Sequence, residues 1–123
     1  MEKLKNKILW VDDEIELLRS NILFLEDKGY FVEKATNGED AVDLVKERDF
    51  DLIFLDEMMA GMGGLKTLAS IKEAQPNVPV VMVTKNETET LMEDAIGAKI
   101  SDYLLKPVNP NQILLTLKKI VDN

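Results

Sequence analysis

The sequence predicts one α/β domain of five strand–helix pairs, a (βα)₅ three-layer sandwich with a parallel sheet between two helical layers. Three observations predict it. Short apolar runs recur along the chain, as strands buried on both faces require. Between them lie stretches whose apolar residues repeat at helical spacing. The runs end on polar or charged residues, several of them carboxylates.

The first run, Ile8 to Val11, ends at Asp12 and Asp13 in "KILWVDDE". Ile15, Leu18, Ile22 and Leu25 then share one face of a helix, and Gly29 is its C-terminal stop. Tyr30 to Lys34 mixes apolar and charged residues, as an edge strand does. Ala41, Leu44 and Val45 mark the second helix. The third strand, Leu52 to Leu55, runs into Asp56 and Glu57 in "DLIFLDEMMAGMGG", and Leu65, Leu68 and Ala69 mark the helix after it. Pro76 and Pro79 flank the turn into the fourth strand, Val80 to Val83, which ends at Thr84. Leu91, Met92, Ala95 and Ile96 indicate a fourth helix. Tyr103 to Leu105 form the fifth strand in "DYLLKP", ending at Lys106. Ile113, Leu114, Leu117, Ile120 and Val121 give the last helix the strongest stripe, with Asn109, Pro110 and Gln112 as N-cap, first helical residue and N3. Short right-handed crossovers make the sheet parallel, and the expected strand order is the flavodoxin-like 2-1-3-4-5.

Length and composition narrow the function. At 123 residues the chain fits one compact domain. No apolar run approaches a bilayer span, and the Lys-rich "MEKLKNK" lacks a signal sequence's apolar stretch, so a soluble cytoplasmic protein is expected. The absence of Cys excludes disulfides, thiolate catalysis and zinc–thiolate sites; the absence of His removes the commonest general base. Any metal is therefore held by oxygen, which favours Mg2+, Mn2+ or Ca2+. A net charge of −8 argues against gripping nucleic acid, and Lys3, Lys5 and Lys7 read as a solvated basic end.

In an open parallel sheet, ligands bind beyond the carboxyl ends of the strands, where strand order reverses. Here that point lies between strands 1 and 3, which end in Asp12–Asp13 and Asp56. Two carboxylates ~4 Å apart cost about 4 kcal/mol at an effective dielectric of roughly 20, so the cluster needs a positive partner or raised pKa values. The sequence offers two neutralisers: a divalent cation, and Lys106 at the end of strand 5. Thr84 adds a hydroxyl to the same rim. Taken singly, Asp13 reads as the N-cap of the first helix, Asp56 and Thr84 as turn or capping residues, and Lys106 as a solvated charge. Tyr103 reads as core or rim as often as a switch. The joint occurrence of polar groups at four strand ends favours a site.

The motifs "ILWVDDE", "LIFLDEMM…G", "VVMVT" and "DYLLKPV" resemble, in order and spacing, those of the response-regulator receiver (CheY-like) domain, and the resemblance covers the whole chain. "ILWVDDE", "VTKNETE" and "LLKPVNPNQILL" are similar to the PorX type from Bacteroidota, in which a receiver precedes a PglZ-type, alkaline-phosphatase-like output domain. On that resemblance, residues 1–123 are an N-terminal receiver excised from a longer regulator. The resemblance implies that Asp56 accepts a phosphoryl group from a phosphohistidine on a sensor histidine kinase. It implies Mg2+ bound directly by Asp13, mostly through water by Asp12, and by Asp56 and the backbone carbonyl of Met58. Lys106 and Thr84 then meet the phosphoryl oxygens, Tyr103 turns inward with Thr84 as the switch, and Lys106–Pro107 is cis. The implied output is the surface of the fourth helix, fifth strand and last helix, which strengthens homodimerisation or acts on an output domain; catalysis extends only to the domain's own phosphorylation and dephosphorylation.

Several residues depart from the family pattern. Lys85 stands where a small residue usually leaves the phosphoryl site open, so it is expected to shield or contact the group and slow its loss. Ala60 replaces a common proline, and Lys99 a common glycine, with Gly97 appearing earlier. Met58 offers an attacking water no side-chain hydrogen bond, whereas Asn86 does. Three other functions compete. A haloacid dehalogenase-type phosphatase uses Asp-x-Asp, but Asp12 and Asp13 are adjacent. A flavin carrier needs a Ser/Thr/Gly phosphate loop, which the acidic "VDDE" contradicts. A receiver-shaped interaction module that is never phosphorylated is the third.

Overall fold

The computed structural model describes residues 6–57, 61–85 and 100–121. Five parallel strands, β1 (Lys7–Val11), β2 (Phe31–Ala35), β3 (Leu52–Asp56), β4 (Val80–Thr84) and β5 (Asp102–Leu105), form one sheet in the order β2-β1-β3-β4-β5. The helices are α1 (Arg19–Asp27), α2 (Gly38–Glu47), α3 (Gly64–Ala74) and a C-terminal helix (Pro110–Val121). The fourth helix expected around Leu91 to Ile96 lies outside the described residues. Among the described residues, no helix is long and apolar enough to cross a membrane.

Strand alternation divides the core into two layers. Leu9, Val11, Ile53, Leu55, Val80 and Met82 pack with α2 and α3 residues such as Ala41, Val45, Leu68 and Ile71. Ile8, Trp10, Leu52, Phe54, Val81 and Val83 pack with Ile22 and Leu25 of α1 and Ile113 and Leu117 of the C-terminal helix. Both faces of β1, β3 and β4 are thus covered, which is why these strands read as unbroken apolar runs. The rings of Trp10 and Phe54 lie 4.7 Å apart, centroid to centroid, so the two large side chains at the centre of this layer brace β1 against β3.

Several local expectations are corrected. The first helix does not run unbroken from Ile15: a 3₁₀ turn (Ile15–Leu18) precedes α1. Asp12 Oδ1 accepts the Glu14 N–H at 2.8 Å, and the Leu17 N–H reaches the Glu14 carbonyl, which tightens this entry. Asp13 is exposed, and neither the 3₁₀ turn nor α1 has a side-chain cap. In α3 the inward stripe is Gly64, Thr67, Leu68 and Ile71, leaving Ala69 exposed. Asn109 does cap the C-terminal helix, accepting the Asn111 N–H at 2.8 Å, whereas the exposed Gln112 makes no return bond among the described residues. β2 begins one residue later than expected because the Tyr30 N–H donates to the Leu25 carbonyl of α1, and pairing with β1 starts at Phe31.

Candidate functional site

The pleat decides which strand-end side chains can meet. Trp10, Phe54 and Leu104 face the layer of α1 and the C-terminal helix, and two residues further on stand Asp12, Asp56 and Lys106. Register sets their level: Val11 pairs with Leu55, so β1 and β3 deliver Asp12 and Asp56 side by side. Backbone bonds carry the ladder one step past the strand ends. The N–H of Asp12 donates to the Ala35 carbonyl at 3.0 Å, that of Glu57 to Val83 at 3.0 Å, and that of Lys106 to Thr84 at 2.8 Å.

Lys106 Nζ lies 3.0 Å from Asp12 Oδ2 and 3.2 Å from Asp56 Oδ1. Asp12 and Asp56 are only 1% and 3% exposed. Two desolvated carboxylates this close require a positive partner, and the ammonium is one. Burial works to lower the Lys106 pKa, but the hydrogen bond to Asp12 and the charges of Asp56 and Asp12 outweigh it and hold the group above the ordinary lysine value.

One partner is not enough. Ligand oxygens of Asp12, Asp13 and Asp56 all lie within 4.8 Å of one another. Three carboxylates against one ammonium leave two formal negative charges, the complement of one divalent cation. The donor set is oxygen alone, one side chain is solvent-exposed, and the arrangement fits a hard ion such as Mg2+ that retains water.

Thr84 is buried at the end of β4. It stands opposite Leu105 in the ladder, as Met82 stands opposite Tyr103, so Thr84 and Tyr103 share the other face of the sheet. Tyr103 is half-buried, and its N–H donates to Asp102 Oδ1 at 2.8 Å. Lys85 is exposed and lines an open cleft of ≈ 490 Å³ with Asp12 and Lys106. The Lys106–Pro107 peptide is cis. Met58, Ala60, Asn86, Gly97 and Lys99 lie outside the described residues. One functional candidate escaped the sequence reading: Asn21, buried in α1, lines the same cleft. Its signal was present, since position 21 follows Leu18 by three and so falls on the inward stripe.

Residues 8–118 match the response regulator receiver domain. The chain is 33% identical over 117 residues to the transcriptional regulatory protein ResD of Bacillus subtilis (strain 168), covering 95% of this chain and 48% of ResD. It thus spans about half the length of that relative. Its fold is similar to that of a CheY-like response regulator receiver domain protein from Methanospirillum hungatei JF-1, with TM-score 0.91, 30% identity, and coverage of 98% of this chain and 95% of that one. It is also similar to a response regulator from Burkholderia pseudomallei whose crystal structure has a phosphorylated aspartic acid, a calcium ion and citrate; the TM-score is 0.85 at 25% identity, covering 96% of this chain and 69% of that one. The sheet order and the strand-end motifs agree with this match along the chain, which belongs to the response regulator receiver domain family.

Proposed function

We propose that this domain takes a phosphoryl group on Asp56 from a phosphohistidine of a sensor histidine kinase in the cytoplasm. The observation that carries the reading is the convergence of Asp12, Asp13 and Asp56 with Lys106 at the point where strand order reverses. An Asp56 carboxylate oxygen attacks phosphorus in line, the P–N bond breaks, and its electron pair leaves with the imidazole nitrogen. Such a transfer needs positioning and charge neutralisation more than a strong base. Asp56 is held by its ladder pairing with Val83, and Lys106 already contacts its carboxylate. Asp12, Asp13 and Asp56, with the backbone carbonyl expected of Met58, would hold Mg2+, or Mn2+ in its place; when bound, the ion would supply positive charge to the phosphoryl oxygens. Thr84 offers a hydroxyl at the neighbouring strand end, and Tyr103, on the same sheet face, follows its movement. The phosphorylated aspartate of the Burkholderia relative supports the assignment. The test is intact-mass analysis after acetyl phosphate treatment: one phosphoryl adduct with Mg2+ and none with chelator is expected. No adduct with Mg2+ would leave the unphosphorylated interaction module as the correct reading.

Three finer proposals follow. Lys85, beside Asp12 and Lys106 in the cleft, shields the phosphoryl group; Lys85→Ala should shed the adduct severalfold faster in the same mass assay, and an unchanged decay removes that role. The surface of β5 and the C-terminal helix, together with the segment expected to form the fourth helix, transmits the state by homodimerisation. In sedimentation velocity, beryllofluoride with Mg2+ should convert monomer to dimer; persistence of monomer rules this out. The output domain is of the PglZ type, on the likeness of "VTKNETE" and "LLKPVNPNQILL"; a DNA-binding domain encoded after residue 123 in the gene would overturn it.

A further inference from the structure

We propose that Gly64 is a positioning residue for Asp56, an inference that rests on the phosphoacceptor reading above. Asp56 ends β3, and the peptide that follows it is held from two sides. The Glu57 N–H donates to the Val83 carbonyl at 3.0 Å, and the Glu57 carbonyl accepts the Gly64 N–H at 3.0 Å. The second hold requires the first turn of α3 to lie directly against the strand end. A Cβ at position 64 would stand 2.6 Å from Glu57 Cα, 2.7 Å from the Asp56 carbonyl oxygen and 2.7 Å from the Glu57 carbonyl oxygen. All three atoms are backbone, so no side-chain rotation relieves the contact: the strand end must move, or the first turn of α3 must withdraw and take the Gly64–Glu57 hydrogen bond with it. Asp56 has little room to follow, because its Oδ1 sits 3.2 Å from Lys106 Nζ and its oxygens share a 4.8 Å cluster with Asp12 and Asp13. A displacement of ~1 Å at a reacting group can cost about a hundredfold in rate.

Two other glycines separate positioning from stability. Gly63 has a negative φ and nothing within 4 Å of an added Cβ, so Gly63→Ala changes the same loop without the clash. Gly38 packs α2 against α3, where an added Cβ would come within 2.1 Å of Thr67 Oγ1 and 3.1 Å of Met62 Sδ, so Gly38→Ala strains side chains of α3 and its loop but not the backbone that carries Asp56. The experiment measures the rate of phosphoryl uptake at saturating acetyl phosphate and Mg2+ for wild type and the three variants, with folding checked by circular dichroism. Trimethylamine N-oxide is present throughout to favour the folded state. Gly64→Ala is expected to be at least about tenfold slower, with Gly63→Ala and Gly38→Ala within about twofold of wild type. A Gly64→Ala rate within about twofold of wild type overturns the proposal, as does an equal slowing in Gly38→Ala. Should Gly64→Ala be unfolded even so, a backbone ester in place of the Gly64 amide decides: it removes the N–H without adding bulk, severalfold slower uptake supports the proposal, and unchanged uptake overturns it. If wild type takes up no phosphate, the phosphoacceptor reading fails first.

Discussion

Asp56→Asn is expected to take up no phosphoryl group and, in metal-free buffer, to melt several degrees above wild type. The first part follows from chemistry, since an amide oxygen cannot form the acyl phosphate. The second follows from charge. Without a cation, Asp12, Asp13 and Asp56 share one ammonium, and Asp12 and Asp56 are nearly inaccessible to water. Neutralising Asp56 removes its repulsion with both neighbours, while Lys106 keeps its 3.0 Å contact with Asp12. The lost Lys106–Asp56 attraction offsets part of this gain, so the net stabilisation expected is about 1–2 kcal/mol. Saturating Mg2+ should erase or reverse the difference, because a ligand at 100 times its dissociation constant adds about 2.7 kcal/mol to the protein that binds it. Thermal melts of both proteins, with chelator and with Mg2+, make the check. A metal-free Asp56→Asn that melts below wild type would show that the cluster is not repulsive as it stands.

The fold was legible because burial on both faces leaves a plain trace. β1, β3 and β4 carry the unbroken apolar runs ILWV, LIFL and VVMV, and the carboxylates and hydroxyl that end them mark the sheet edge where the candidate site lies. Asp12, Asp56, Thr84 and Lys106 were readable for the same reason: each is the first polar residue after an apolar run. What pattern alone could not decide is how faces and backbones meet. Pleat parity puts Thr84 and Tyr103 on one face and Asp12, Asp56 and Lys106 on the other, but this emerges only when the register of neighbouring strands is known. The 3₁₀ entry to α1 depends on one Asp12 oxygen taking a backbone N–H, a choice that two adjacent aspartates conceal. Gly64 was hidden among the glycines of "GMGG", because close approach of backbone atoms leaves no mark on hydrophobic periodicity.

Lys106→Met should produce the opposite pattern to Asp56→Asn. The methionine keeps the unbranched apolar body of lysine, one atom shorter, but removes the positive charge that bridges Asp12 and Asp56. The cluster then holds three carboxylates and no ammonium, and metal-free stability at neutral pH should fall by about 2–3 kcal/mol, less than a wholly buried pair because the lysine keeps some contact with water. The sign with pH follows from the raised Lys106 pKa. A group whose pKa is higher folded than unfolded contributes fully below the unfolded value and loses that contribution as pH rises through the folded one. The gap between wild type and Lys106→Met should therefore be full at neutral pH and close only above the ordinary lysine range. Cation binding separates charge from packing. With its electrostatic competitor gone, Lys106→Met should bind Mg2+ more tightly than wild type and recover more stability from it. Phosphoryl uptake should nevertheless fall about a hundredfold, because a preorganised positive group beside the developing charge is missing. Urea unfolding at neutral and alkaline pH, Mg2+ titration of the buried Trp10 fluorescence, and the mass assay for uptake measure the three effects. Weaker Mg2+ binding in Lys106→Met would mean that the lysine organises the carboxylates rather than competing with the ion.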